Sequence, residues 1–197
     1  MSKGPLLLLA FFSLQTKALG LPAELSLSPG QVRELEKGEV VVQLLPTFRS
    51  TMKDVLTVGY VAAPLEEVWR VITDYQNYPR MFPGILKSEV RWKEGDDERH
   101  YSLLDYPWPF QDKWTINELH HDRGNRKILF HRIEGTVKEL DGSWRLFPEG
   151  ERTLVAYSIR LDPGVPFLPA WLLEWGNSRI APQTIRNLRR FTRAKDR

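Results

Sequence analysis

The chain contains no cysteine. That absence removes disulfide cross-links, zinc–cysteine clusters and a cysteine nucleophile together, although it does not fix the redox compartment. Nothing in the 197 residues forms a glycine-rich phosphate loop, a GxSxG elbow or an HExxH helix, so the chemistries built on those motifs have no foothold. Histidine is scarce: His100, His120, His121 and His131. Adjacent residues on a strand point to opposite faces, so His120 and His121 do not share a metal, and no metal or cofactor is expected. Internal repeats and low-complexity segments are also lacking. So is a large excess of charge of one sign. The 28 Lys and Arg against 25 Asp and Glu give +3, and residues 1–20 hold Lys3 and Lys17 but no acid, leaving +1 without them. Nucleic acid is not an expected partner, because binding it takes a clustered basic field.

What is present reads as one ordinary globular domain, 42% hydrophobic and 27% charged. Lys3, the apolar run from Leu6 to Leu14 and the small residues Ala18 and Gly20 follow the order of a secretory signal. The run is shorter than the roughly 20 residues of a membrane span. Residues 1–20 are therefore expected to be a signal peptide, cut after Ala18 or Gly20, with the mature protein periplasmic or secreted. A buried or interfacial N-terminal helix is the alternative. No cysteine follows for lipid attachment, which excludes a lipoprotein.

Residues 21–38 form an extension with one short helix. Ser28, Pro29 and Gln31 occupy the N-cap, first-turn and capping-box positions, and Gly38 ends it. Strands are predicted over 39–45 and 54–61. Pro64 opens a helix whose Leu65, Val68, Trp69 and Ile72 share a face, and a broken aromatic helix follows over 75–82. From residue 87 the period becomes two, which predicts strands over 87–93, 98–104, 113–120, 126–133, 142–147 and 153–161. Val90 and Trp92 are expected to share one face of the first of these. Turn residues separate most of them, so the sheet is an antiparallel meander. After Pro169 the chain is helical, with a kink or restart at Pro182. Ala181, Thr184, Leu188 and Phe191 share one face of this helix, while Arg186, Arg190, Arg193 and Arg197 lie on the other. The predicted class is α+β: a curved antiparallel sheet wrapped around a long C-terminal helix, with two short helices after the first core strand, spanning 39–197.

The segment VAAPLEEVWRVITDYQNYPRMFPGILKSEV (61–90) resembles the opening of the polyketide cyclase/dehydrase and ubiquinone-binding branch of the START-like (SRPBCC, helix-grip) superfamily. DGSWRLFPEGERTLVAYSIRLDPG (141–164) and PAWLLEWGNSRIAPQTIRNLRRF (169–191) are similar to its later stretches. DYPWPFQDKW (105–114) resembles the proline-tryptophan-proline stretch of lipid-binding START domains. There an arginine–aspartate pair usually follows, but here Gln111, Asp112 and Lys113 stand, so no role resting on arginine carries over. The resemblance implies a helix-grip fold with an elongated apolar cavity between sheet and helix, gated by loops.

On this reading the protein binds or carries a hydrophobic small molecule such as a lipid, an isoprenoid or quinone, or a polyketide-like compound. The candidate lining is Tyr101, Trp114, Phe130, Trp144 and Tyr157 from the sheet, with Leu172 and Trp175 from the helix. Any one of these taken alone reads first as plain core, and the case for a cavity comes from the set and the resemblance. Pro107 and Pro109 cannot donate to a ladder, so 105–112 connects two strands, with Trp108 and Phe110 at the cavity rim. Binding is favoured over catalysis. An aromatase/cyclase-type enzyme would need Glu118 or a histidine inside the cavity beside a polar partner, and a protein-interaction module is the third reading. The arginine stripe reads first as a solvated face suited to the helix dipole, and second as a transient contact with an anionic membrane. The protein is expected to act as a monomer.

Overall fold

Residues 22–48, 50, 52–106, 111–165 and 170–193 are described by the computed structural model, with the backbone alone for residues 23, 170–175, 177 and 193. The expectations for residues 1–20, Trp108, Phe110 and Arg197 lie outside the described residues, as do those for the side chains of Leu172, Trp175 and Arg193.

Helix α1 (Pro29–Glu36) starts as its sequence requires. The Ser28 hydroxyl accepts from the Gln31 N–H at 3.3 Å, and the Gln31 side chain accepts from the Ser28 N–H at 2.9 Å. This reciprocal capping is worth about 1 kcal/mol. Gly38, at φ +84°, turns the chain out of the helix through a conformation that other residues avoid. Strands β1 (Val41–Leu45) and β2 (Asp54–Val61) follow. Next come α2 (Leu65–Ile72), a 3₁₀ turn (Tyr75–Asn77) and α3 (Tyr78–Met81). The meander then runs β3 (Ile85–Glu94), β4 (Asp97–Leu104), β5 (Lys113–Asp122), β6 (Lys127–Gly135), β7 (Glu139–Glu149) and β8 (Arg152–Asp162). Helix α4 (Ala170–Arg193) closes the described chain.

One eight-stranded sheet results, ordered β1-β2-β8-β7-β6-β5-β4-β3, with each neighbouring pair antiparallel. Helix α4 crosses its inner face over β2. The contact is so close that a Cβ on Gly59 would stand 2.8 Å from Ile185 Cγ2, so glycine is needed at the crossing. The inner core joins Val68, Trp69 and Ile72 of α2 to Ile128, Trp144, Leu146 and Val155 of the sheet and to Ile185 and Leu188 of α4.

A second apolar cluster covers the opposite side of β2 and β8. Leu25 and Leu35, from the segment before β1, pack there against Leu56, Val58, Leu154 and Ala156. Burial on both faces explains why β2 is apolar almost throughout rather than alternating. Each of the two leucines contributes about 1.5–3 kcal/mol by leaving water. Arg160 of β8, nearly buried, ties the same side together. It meets Glu139 at 2.5 Å, Asp54 at 2.5 Å and Asp141 at 3.1 Å, linking β2, β7 and β8.

Of the kink or restart expected at Pro182, the restart is excluded, since helix α4 runs through it. One further local expectation is corrected. Val90 and Trp92 do not share a face: Val90 pairs with His100 and Trp92 with Arg99, with a bulge between them. The extra residue of a bulge reverses the alternation beyond it. The arginine stripe is solvent-facing at Arg186 and Arg190, and the Arg190 guanidinium lies 5.4 Å from the Phe191 ring centre. Among the described residues no helix is long and apolar enough to cross a membrane.

Candidate ligand cavity

A cavity of about 420 Å³ lies between the inner sheet face and α4, within the ~300–1,000 Å³ range of small-molecule sites. Its origin is a change of side-chain size along α4. Ile185 and Leu188 are fully buried in the core, whereas Gly176, Ala181 and Thr184 present little bulk and line the cavity instead. Phe130, Leu140, Trp144, Tyr157 and Ile159 form the sheet wall, and Tyr75, Tyr78 and Phe82 close one end from the segment around α3. Gly142 lets the Phe130 ring lie flat on the strand, since a Cβ there would come within 2.3 Å of it. Asp105, Tyr106 and Pro163 also line the cavity, together with Ile180, which is 63% exposed. A side chain that faces both cavity and solvent marks the entrance.

The apolar wall carries one polar strip, where β4 and β5 present His100, Ser102 and Asn117 to the cavity. The Ser88 hydroxyl donates to the Tyr75 carbonyl at 2.5 Å. Its single proton is thereby used, so the 2.6 Å contact with His100 Nε2 has the imidazole as donor. Burial pushes the His100 pKa down to about 4, so the ring is neutral and Nδ1 keeps its lone pair. Behind this layer, His121 Nδ1 donates to the Asp96 carbonyl at 3.1 Å. Its Nε2 therefore accepts from the Tyr75 hydroxyl at 2.7 Å. Burial also holds His121 below the ordinary imidazole range, and holds the Tyr75, Tyr78 and Tyr157 hydroxyls above the ordinary phenol range. At neutral pH the strip is a set of uncharged hydrogen-bonding groups.

Of the nine residues singled out from the sequence, Phe130, Trp144 and Tyr157 line the cavity. Their rings are in mutual contact, with Tyr157 4.3 Å from Trp144 and 6.3 Å from Phe130 between ring centres. Tyr101 and Trp114 are on the other face and are corrected. They stack on each other at 6.2 Å, with the Arg91 guanidinium 4.8 Å over the Tyr101 ring. Glu118 is outside too, 3.6 Å from both Arg99 Nε and His131 Nε2. Alternation tells which residues share a face, not which face is inner, and aromatic bulk was the wrong guide here. The inner side of β4 carries Glu98, His100 and Ser102, all buried. The sequence allows a cavity histidine without choosing among the four, and it does not single out Asn117, Ser102 or Ser88. Their signal was present as small and polar side chains alternating in step along β4 and β5.

A curved sheet gripping a C-terminal helix around an apolar cavity defines this protein as a START-like, helix-grip domain. A profile described as polyketide cyclase / dehydrase and lipid transport matches residues 61–189, and the chain belongs to that family. A putative polyketide cyclase of Streptomyces halstedii is 33% identical over 94 residues, covering 46% of this chain and 85% of that protein. Among solved structures, the STAR-related lipid transfer protein of Xanthomonas axonopodis superposes with a TM-score of 0.68. The identity is 17%, over 78% of this chain and 93% of that one. An aromatase/cyclase from a Streptomyces strain gives 0.63 at 21% identity, over 73% and 95% of the two chains. At these identities the two structures support the shared fold alone.

Proposed function

We propose that this protein binds a hydrophobic small molecule in the cavity and carries it, the ligand being a lipid, an isoprenoid or quinone, or a polyketide-like compound. The cavity itself carries the reading: about 420 Å³, walled mostly by aromatic and aliphatic side chains, with a few orienting polar groups. Binding would draw on removal of the ligand's apolar body from water, with exchange through the entrance at Asp105, Tyr106 and Ile180. Carriage is preferred to catalysis because a general base works best with a pKa near the working pH. His100, at about 4, is a poor proton acceptor at neutral pH. An aromatase/cyclase reading stands second, favoured by one observation: His100 lies in the cavity wall with Ser88 as its polar partner.

Native mass spectrometry and solvent extraction of protein purified from its own host test the proposal. A co-purifying apolar compound is expected. Protein that holds none and excludes the neutral dye N-phenylnaphthylamine would sink the carrier reading. Release of a cyclised, dehydrated product from a linear poly-ketone would establish the enzyme instead. We further propose export by residues 1–20, which places the carrier in the periplasm or outside the cell. Its support is the order Lys3, apolar Leu6 to Leu14, then small Ala18 and Gly20.

A further inference from the structure

We infer that the cavity selects an uncharged ligand bearing a hydroxyl group, phenolic or alcoholic, which His100 and Asn117 hold from two sides of one oxygen. The inference rests on the carrier reading and deepens it.

His100 and Asn117 are directly paired across β4 and β5. Side chains so paired lie on one sheet face with Cβ atoms about 4.5–5.5 Å apart, and both line the cavity. Their hydrogen-bonding roles are set by what each has already engaged. His100 uses Nε2–H on Ser88, which leaves Nδ1 as an acceptor without a partner among the described residues. Asn117 Oδ1 accepts from the Thr115 hydroxyl at 2.9 Å, which leaves its NH₂ as a donor, again without a partner among the described residues. One wall therefore offers an acceptor beside a donor.

A hydroxyl oxygen satisfies both at once, donating its proton to Nδ1 and accepting from the amide. A ketone or ether can only accept and leaves the imidazole lone pair unmet. A carboxylate or phosphate fares worse. Its charge would face that lone pair, and the described lining includes no lysine or arginine. Burying an unpaired anion is strongly unfavourable. Arg132 pairs with Asn117 from the opposite strand. Its Nη2 is committed to the Gly135 carbonyl at 2.7 Å; its Nε is buried with no partner among the described residues, but the side chain is not among those lining the cavity. An ammonium can donate to Nδ1 but meets the amide NH₂ donor to donor. Of these headgroups, a neutral alcohol or phenol meets both His100 and Asn117; Asp105, the charged side chain among the described lining, stands at the entrance and not beside this pair.

The test is displacement of N-phenylnaphthylamine at neutral pH by three matched probes: para-octylphenol, octylbenzene and para-octylbenzoate. Each is titrated into wild type, His100→Phe and Asn117→Leu. Comparing the same probe across variants cancels its hydration, as in a double-mutant cycle. The expected result is about a tenfold loss of para-octylphenol affinity in each variant, the size of one net hydrogen bond. Octylbenzene should be unaffected, and para-octylbenzoate should compete far less well than the phenol with wild type. Equal losses for phenol and octylbenzene would overturn the inference, as would a benzoate competing as well as the phenol. Either result leaves the carrier reading standing. Failure of the dye and every probe to enter wild type would overturn both. Should His100→Phe not fold, the Asn117→Leu cycle decides alone.

Discussion

His100 Nε2 donates to a Ser88 hydroxyl 2.6 Å away, whose own proton is given to the Tyr75 carbonyl. One buried serine thus sets the tautomer of a cavity histidine and anchors β3 and β4 to the turn before α3. This coupling makes the cavity's polar end sensitive to acid.

The His100 pKa is about 4 in the folded chain against 6.5 for an ordinary imidazole. Above pH 6.5 the ring is neutral folded or unfolded, and its contribution to stability is complete. Below that, the unfolded chain takes up a proton that the folded one refuses, so stability falls from about pH 6.5 towards pH 4. The full loss from this residue is about 3 kcal/mol. His121, lowered in the same direction, adds to it. Urea unfolding at neutral pH and near pH 4.5 should show this decline, and His100→Phe should flatten it. An unchanged slope in the variant would show that other groups control the acid response.

Gly176 lines the cavity, and a Cβ placed on it meets nothing within 4 Å among the described residues. Leucine there should project into open space and relieve a helix of its glycine, which costs about 1 kcal/mol relative to alanine. Gly176→Leu is expected to raise or preserve the melting temperature while sharply reducing dye uptake. Undiminished uptake would mean that ligands occupy another part of the cavity.

Gly142→Ala makes the opposite demand. Its Cβ would come within 2.3 Å of both the Phe130 ring and the Ser158 carbonyl oxygen. The backbone cannot yield easily, so Phe130 is pushed into the cavity. Stability should fall by about 1–3 kcal/mol, the usual cost of overpacking, and ligand affinity should fall with it. Denaturant titration together with dye binding checks both.

Leu35→Ala separates fold from site. Leu35 is fully buried on the far side of the sheet, so truncation should cost about 2–5 kcal/mol. The cavity face is untouched, and the dye dissociation constant of the folded protein should not move. A change in affinity would show that the outer cluster shapes the cavity through the sheet.

The element order and most boundaries were legible because they rest on local rules. Ser28-Pro29-Gly30-Gln31 can form few structures other than a capped helix start, and alternation from residue 87 onward has no helical reading. Phe130, Trp144 and Tyr157 were found because aromatic residues on the inner face of such a sheet have little choice but to line whatever space the helix leaves. Tyr101 and Trp114 misled for the same reason in reverse: stacked on each other, with Arg91 over the Tyr101 ring, they are half-buried on the outer face and need no cavity to shelter them.

By itself, then, the chain's pattern determined which segments are helix and strand and which residues share a face along each unbulged strand, since both follow from backbone periodicity and capping. Only the tertiary structure decided which face is inner, where the bulge between Val90 and Trp92 reverses it, and that His100 stands opposite Asn117. Those depend on strand register and on α4 closing over Gly59. Such contacts join residues far apart in sequence, and the energies that select them belong to no single segment.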